Sequence, residues 1–292
     1  MRIMVTGANG QLGRLVLGEL IRIEGIEVIA GVRRPASISD LPSQKIQVRN
    51  VDYDHTESLA SALQGVDRLL LVSSSEVGQR TTQHRNVIEA ARTAQVKLIA
   101  YTSVLHAPTN RMLLAQEHRE TEELLHQSGV PYVLLRNGWY TENYLASLPQ
   151  ALAMGQIFGC ASNGKLSLAS RADYAAAAAK AVTGIDQAGK VYELAGDTAY
   201  TMNDIAAEMT RQIGKPVQYV DLTEADYIVA LKAVGLPEGF AKALADSDAQ
   251  AAKGALHEDS NQLSQLIGRP TTSLQDSVRT ALQRAHSTNA LR

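Results

Sequence analysis

The chain has 292 residues, of which 45% are apolar and 20% charged, and its formal net charge is −2. These proportions are typical of a soluble globular protein that forms one large domain or two smaller ones. The near balance of charge argues against electrostatic binding to nucleic acid. No apolar run approaches the roughly 20 residues of a membrane-spanning helix, and no secretory signal pattern is present, so we expect a cytoplasmic protein without membrane insertion. The single cysteine, Cys160, and the spacing of the seven histidines predict no metal site.

Short apolar runs alternate with helical patterns through the first half of the sequence. The predicted strands lie at residues 3–5, 28–32, 46–48, 69–72, 98–101 and 132–135. The predicted helices lie between them, at about 11–24, 56–63, 83–94 and 115–127. Because the strands are continuously apolar, we expect an α/β fold, a Rossmann-like doubly wound parallel sheet with helices on both faces. Ligands of such sheets bind at the carboxyl ends of the strands.

The second half is less regular. It contains an alanine-rich helix at 174–182, strands near 190–194 and 216–222, a capped helix at 201–213, and further helical patterns to about residue 282. We therefore predict a nucleotide-binding domain at 1–142, rejoined by about 172–196. Residues 143–292 are predicted to form a smaller, largely helical α/β lobe on the substrate side of a cleft. An oligomer that uses the C-terminal helices stays open.

A glycine-rich stretch follows the first predicted strand. Gly7, Gly10 and Gly13 give the spacing G-x-x-G-x-x-G just before an amphipathic helix. Glycines there permit a tight turn and a close approach to phosphate, and the helix N-terminus offers free N–H groups to a pyrophosphate. The usual dinucleotide spacing is G-x-G-x-x-G, so the pattern alone leaves open a turn that merely needs small residues.

The end of the second predicted strand carries arginine rather than an acid. Arg33 lies 20 positions after Gly13, and no Asp or Glu ends the run at 28–32. At this place an acid binds the ribose 2′-OH of NAD, whereas an arginine accommodates the 2′-phosphate of NADP. The sequence therefore predicts NADP(H) in preference to NAD(H), and the alternative for Arg33 is a solvated loop cation.

The usual acid/base pair of short-chain dehydrogenases is missing. None of the ten tyrosines is followed four positions later by the lysine of a Tyr-x-x-x-Lys pair. His118 lies on the helix where such a pair is expected, and it is either a substitute proton donor or, as we favour, a polar residue on a partly exposed helix. A strong electrophile such as a quinone needs no such acid, because positioning against the nicotinamide supplies most of the catalysis. No catalytic residue is assigned.

Six segments carry a family resemblance: residues 6–13, 32–33, 73–80, 135–140, 170–174 and 266–270. Through them the sequence resembles the NmrA-like group of atypical short-chain dehydrogenases, to about residue 282. The runs SSSEVGQR at 73–80 and NGWY at 137–140 resemble the bacterial NADPH:quinone oxidoreductases of the second type more than the triphenylmethane dye reductases. The resemblance implies NADPH as the donor and two-electron reduction of a small-molecule quinone.

The resemblance also implies a set of binding residues. Those expected to bind the cofactor are Gly7, Ala8, Asn9, Gly10, Gln11, Leu12, Arg33, Ser73, Ser74, Ser75, Asn137, Gly138, Trp139, Tyr140, Thr141, Glu142, Ala169 and Arg171. The residues expected on the substrate side are Trp139, Tyr140, Asn143 and Tyr144. Trp139 and Tyr140 are either an aromatic wall for a flat quinone or packing residues between the two lobes.

Two other functions are compatible with the same motifs. NmrA-like proteins include redox sensors that bind NADP(H), turn nothing over and signal to a protein partner. A reductase of other electrophiles, such as triphenylmethane dyes or enones, keeps the enzyme class and changes the acceptor. Turnover of NADPH with quinones distinguishes the three functions.

Overall fold

The computed structural model describes residues 1–38 and 44–289. Its strands are β1 (Arg2–Val5), β2 (Glu27–Val32), β3 (Ile46–Asn50), β4 (Arg68–Leu71), β5 (Leu98–Val104), β6 (Tyr132–Asn137), β7 (Gln156–Gly159), β8 (Val191–Leu194) and β9 (Gln218–Asp221). Its helices are α1 (Gln11–Leu20), α2 (Thr56–Ala62), α3 (Arg80–Thr93), α4 (Leu113–Ser128), α5 (Thr141–Leu145), α6 (Leu148–Met154), α7 (Arg171–Thr183), α8 (Met202–Ile213), α9 (Glu224–Ala233), α10 (Glu238–Ala251), α11 (Gln262–Ile267) and α12 (Leu274–Asn289). A short 3₁₀ helix covers Pro35–Ile38.

The central sheet has seven strands in the order β3-β2-β1-β4-β5-β6-β8. The pairs β1–β2, β1–β4, β2–β3, β4–β5 and β5–β6 are parallel. The strand order reverses between β1 and β4, and this switch point is where a doubly wound sheet opens a crevice for a ligand. The α/β prediction is confirmed, and all six strands predicted in the first half are present.

The core beneath this sheet is mostly aliphatic, in a chain that contains only 2 Phe, 1 Trp and 10 Tyr. Met4, Leu69 and Ile99 come from three neighbouring strands and are completely buried in one cluster. On α7, most of the buried residues are alanines, and this helix packs against α1. Small side chains let two helix backbones approach closely, so the alanine-rich pattern reflects tight packing and not a membrane segment.

The chain folds into two compact units. Unit 1 comprises Met1–Pro108, Ala115–Asn137 and Arg171–Glu193, and therefore contains almost all of the central sheet. Unit 2 comprises Thr109–Leu114, Gly138–Ser170 and the chain from Leu194 onward. Within unit 2, β7 pairs in parallel with β9. The strand β7 was not predicted, because its four residues, which end in Gly159, carry too little periodicity to identify a strand.

Candidate cofactor site

The loop between β1 and α1, residues 6–13, requires glycine at more than one position. Gly7 has a φ of +56°, in the left-handed region that favours glycine. The N–H of Gly10 donates to the carbonyl of Gly7 at 2.9 Å and closes the turn. A Cβ on Gly13 would lie 2.4 Å from the carbonyl oxygen of Gly7, a distance that no side chain tolerates. The glycine loop is therefore fixed by backbone sterics.

The start of α1 offers backbone N–H groups on an open surface. Gly10 is the N-cap, contributes no side-chain cap, and the first turn of the helix contains no acid. Ala8 and Leu12 are buried against the sheet, whereas Asn9 and Gln11 are exposed. A helix start with this composition suits a phosphate, because its free N–H groups and positive dipole end face outward.

Arg14 lies beside the glycine loop and was not among the predicted binding residues. Its Nη2 donates to Oδ1 of Asn9 at 2.7 Å, so a guanidinium lies beside the exposed part of the glycine loop. A cation in the first turns of a surface helix is ordinary in a sequence, and only the contact with the loop singles it out.

Arg33 stands at the carboxyl end of β2, as predicted, and meets an acid from elsewhere in the chain. Its side chain is 67% exposed, and its Nη1 lies 2.8 Å from Oε1 of Glu76. Its carbonyl accepts a hydrogen bond from Asn50 Nδ2 at 2.8 Å, which fixes the backbone there. The structure thus brings Arg33 close to the loop after β4.

That second loop, residues 73–79, is called the serine loop below. The N–H of Ser73 donates to Thr102 Oγ1 at 2.9 Å, and the N–H of Ser74 donates to His84 Nε2 at 3.0 Å. Arg80 Nε donates to the carbonyl of Ser74 at 2.7 Å. The partners His84 and Arg80 are buried, and Ser75 is exposed. Buried side chains therefore hold the backbone of this loop in place.

The hydrogen bonds of His84 define its protonation state. Because Nε2 accepts from Ser74, the proton of the neutral ring is on Nδ1, which lies 2.9 Å from Thr121 Oγ1. The Thr121 hydroxyl in turn donates to the Glu117 carbonyl at 2.8 Å. Burial, and after it the charge of Arg80, lower the pKa of His84 to about 3. His84 is therefore a neutral acceptor under the serine loop.

His118 is more deeply buried than expected. The helix α4 is partly exposed, as predicted, but His118 is only 7% exposed and its Nδ1 lies 2.7 Å from the hydroxyl of Tyr101. Burial, followed by Arg80 and His84, lowers its pKa well below the usual value. The buried positions of α4 are Ala115, His118, Thr121 and Leu125, at helical spacing, but two of the four are polar, so the sequence shows no apolar stripe there.

Asn137 ends β6 and presents an unsatisfied acceptor. It is 6% exposed, and its Oδ1 has no hydrogen-bond partner among the residues that the structure describes. A buried amide oxygen without a donor is costly unless a ligand satisfies it. Together with the glycine loop and Arg33, this acceptor fits a dinucleotide with a carboxamide end.

Several predicted residues of unit 2 also come together. The N–H of Thr141 donates to the carbonyl of Ala169 at 3.0 Å, and the N–H of Ala169 donates to the carbonyl of Trp139 at 3.3 Å. Tyr140 and Ala169 form an isolated parallel bridge. Trp139, Tyr140, Glu142 and Asn143 are half-buried, and Gly138 is buried. Arg171, the first residue of α7 in unit 1, is also half-buried. A ligand-binding role for this segment stays a prediction.

Tyr144, predicted on the substrate side, is buried in unit 2. It is 7% exposed, and its hydroxyl donates to Asp248 Oδ1 at 2.8 Å. Burial, and then the Asp248 carboxylate, raise the pKa of Tyr144 well above its usual value. Its hydroxyl is thus already hydrogen-bonded within unit 2, and a substrate contact stays a prediction.

Comparison with known proteins identifies the family. Residues 7–184 match the family described as NAD(P)H-binding. The chain belongs to this NAD(P)H-binding family. It is 57% identical over 277 residues to Quinone oxidoreductase 2 of Escherichia coli (strain K12), covering 94% of this chain and 97% of that protein. The predicted resemblance to the second-type quinone oxidoreductases is therefore confirmed.

Two solved structures of reductases with bound cofactor are similar to this NAD(P)H-binding protein in both sequence and fold. A crystal structure of NADPH-dependent quinone oxidoreductase from E. coli complexed with NADPH is 56% identical, with a TM-score of 0.93, and covers 96% of this chain and 99% of that one. The Citrobacter sp. triphenylmethane reductase complexed with NADP(H) is 34% identical, with a TM-score of 0.90 and the same coverage.

Neither a metal centre nor a membrane span is found in the described part of this family member. Residues 1–38 and 44–289 contain no cluster of three or more His, Cys, Asp or Glu side chains suited to a metal ion. Over the same residues, no helix combines the length and hydrophobicity that crossing a bilayer requires.

Proposed function

We propose that this protein is an NADPH-dependent oxidoreductase that reduces quinones by two electrons. The observation that carries the proposal is the 57% identity to Quinone oxidoreductase 2 over 94% of the chain. The geometry agrees with it. The glycine loop opens onto the start of α1, Arg33 ends β2, and Asn137 ends β6, so three polar features follow strands of one parallel sheet.

Different residues of the chain bind the different parts of NADPH. NADPH supplies the hydride when bound, and the chain supplies its position. The N–H groups of Asn9, Gln11 and Leu12 bind the pyrophosphate, and Arg33 binds the 2′-phosphate through charge-assisted hydrogen bonds worth about 1.5–3 kcal/mol. Asn137 Oδ1 accepts a hydrogen bond from the carboxamide. The serines at 73–75 border the ribose.

Proton donation by the two buried histidines is not part of this proposal. His84 and His118 have lowered pKa values, and each ring is bonded to a neighbour within unit 1. A neutral, buried imidazole is a poor acid near neutral pH. A quinone is electrophilic enough to accept hydride without prior protonation, and its product oxygen takes a proton from water. Positioning therefore supplies most of the catalysis.

The acceptor side stays the more open part of the proposal. We place Trp139 and Tyr140 beside the quinone, since both are half-buried aromatic side chains in a chain with few aromatics. The cytoplasmic location and an oligomeric state also stay predictions. Gel filtration and fractionation address them directly.

The test is NADPH oxidation by purified protein, followed by nicotinamide absorbance with and without a simple benzoquinone. Parallel traces use NADH, a triphenylmethane dye, and no enzyme. We expect rapid quinone-dependent turnover that favours NADPH. Tight NADPH binding without turnover on any acceptor would refute the reductase and favour a redox sensor, and turnover on the dye alone would reassign the acceptor.

A further inference from the structure

An acid lies beside the Arg33 side chain in the structure, although no acid stands at the end of β2 in the sequence. Oε1 of Glu76 lies 2.8 Å from Nη1 of Arg33. The two residues come from opposite sides of β1, since Arg33 follows β2, Glu76 follows β4, and the strand order is β2-β1-β4. The side chains are 67% and 40% exposed, so a ligand phosphate can reach both.

Glu76 is directed at Arg33 by contacts behind it. Its Oε2 accepts from Gln83 Nε2 at 2.9 Å, and its backbone N–H donates to Ser74 Oγ at 3.2 Å. Gln83 is only 3% exposed, so the amide that orients the carboxylate is itself fixed. The pair is therefore part of an organised cluster and not a chance meeting of two flexible side chains.

The same amide holds a second carboxylate. Gln83 Nε2 lies 3.2 Å from each carboxylate oxygen of Asp54, which follows β3. Within this hydrogen-bonded cluster, Asp54 shares Gln83 with Glu76, and Glu76 is the carboxylate in contact with the Arg33 guanidinium. A phosphate that binds Arg33 therefore meets the like charge of Glu76, which lies 2.8 Å from Nη1 of the same guanidinium.

We propose that Glu76 is a specificity-determining residue that competes with the 2′-phosphate of NADPH for Arg33 and thereby lowers the preference for NADPH over NADH. The proposal rests on the role of Arg33 in the proposed function. The 2′-hydroxyl of NADH carries no charge, so the carboxylate does not repel it and accepts a hydrogen bond from it, as acids at this place in dinucleotide sites do. Glu76, in the loop after β4, thus provides the acid that is absent at the end of β2.

The test compares cofactor affinities of the wild type and Glu76→Gln without turnover, by titrating the fluorescence of NADPH and NADH. We expect NADPH to bind more tightly and NADH equally or less tightly, so that the ratio Kd(NADH)/Kd(NADPH) rises about threefold to tenfold. Competition with fragments locates the effect, since 2′,5′-ADP is expected to gain affinity and 5′-AMP to gain none. The difference is expected to shrink with added salt.

Glu27→Gln is the matched control. Glu27 begins β2, at the opposite end of the strand from Arg33, and its Oε2 forms an exposed ion pair with Arg2 Nε at 2.9 Å. The substitution changes the net charge by the same amount and is expected to leave the ratio unchanged. A shift as large as that of Glu76→Gln would trace the effect to net charge and overturn the proposal.

An unchanged ratio in Glu76→Gln overturns the proposal, and a lower ratio overturns it by making Glu76 a support for phosphate binding. Arg33→Ala is expected to weaken NADPH at least tenfold with little effect on NADH, and equal losses would remove the basis for both roles. Quinone turnover by the wild type separates the two claims. Turnover with an unchanged ratio refutes the role of Glu76 alone, whereas a raised ratio without turnover refutes the reductase alone.

Discussion

The glycine loop and the serine loop follow neighbouring strands of one sheet, yet they are stabilised by different physics. The glycine loop follows β1 and is fixed by its own backbone, since Gly7 is left-handed and Gly13 has no room for a Cβ. The serine loop follows β4 and is fixed by side chains from elsewhere, above all His84 and Arg80. Local sterics leave a mark in the sequence, whereas a network of distant side chains leaves almost none.

The largest expected effect is that of a substitution at Gly13 in the glycine loop. In Gly13→Ala the new Cβ would lie 2.4 Å from the Gly7 carbonyl oxygen and 2.7 Å from the Ala8 Cα, and neither backbone atom can move independently. We expect a loss of about 3 kcal/mol or more in the free energy of unfolding, with weaker NADPH binding. Chemical denaturation and cofactor titration measure the two effects.

Gly18→Ala is its control in the same helix. A Cβ there meets nothing within 4 Å, so the substitution is expected to stabilise by about 0.5–1 kcal/mol through helix propensity. If Gly13→Ala behaved like Gly18→Ala, the glycine loop would not be fixed by backbone sterics.

The next largest effect is expected at the serine loop. In His84→Ala the N–H of Ser74 loses its acceptor, and Thr121 Oγ1 loses its hydrogen bond to the imidazole. The substitution also opens a small cavity. We expect a loss of about 2 kcal/mol in stability, together with weaker NADPH binding as the loop loosens. The exposed His126→Ala is the control and is expected to change neither quantity. If His84→Ala changed neither the stability nor the NADPH affinity, the serine loop would not depend on His84 for its conformation.

These two loops also show what the sequence can and cannot predict. The strands before them were predicted because continuous apolar runs are visible locally, and the glycine spacing is visible for the same reason. Glu76 beside Arg33 was not predicted, because the two residues are 43 positions apart and meet only through the strand order. The burial of His118 was not predicted, because its inward position depends on what covers α4 and its neighbour on the buried face, Thr121, is also polar.

A pH titration sharpens the comparison, because it acts on the serine loop and not on the glycine loop. The pKa of His84 is about 3 in the folded protein and about 6.5 in an unfolded chain. Between these values the unfolded state binds more protons, so this contribution to stability is complete above pH 6.5 and is lost as the pH falls. The limiting slope is about 1.4 kcal/mol per pH unit for one histidine.

Two further groups act over the same range and require a difference measurement. His118 contributes in the same direction, whereas burial raises the pKa of Asp248 in unit 2 to about 6, which favours the folded state at acidic pH. Comparing the wild type with His84→Gln cancels the contribution of Asp248, and it leaves in place the two larger causes of the lowered His118 pKa, burial and Arg80. We expect the stability cost of His84→Gln to be smaller at pH 5 than at pH 7. A cost independent of pH would mean that His84 is protonated equally in both states.

The smallest effect on activity is expected at His118. The residue lies on α4, the helix where the Tyr-x-x-x-Lys pair of short-chain dehydrogenases is expected, but its ring is buried, neutral and 2.7 Å from the hydroxyl of Tyr101, whose own pKa is raised by burial. We expect His118→Gln, which retains a hydrogen-bonding group for Tyr101, to change kcat by no more than a few-fold and to leave its pH profile unaltered. The measurement is steady-state quinone reduction below the melting temperature, corrected for folded protein. A collapse of kcat with unchanged NADPH affinity would identify His118 as a proton donor, and the reaction would then depend on an acid as well as on positioning.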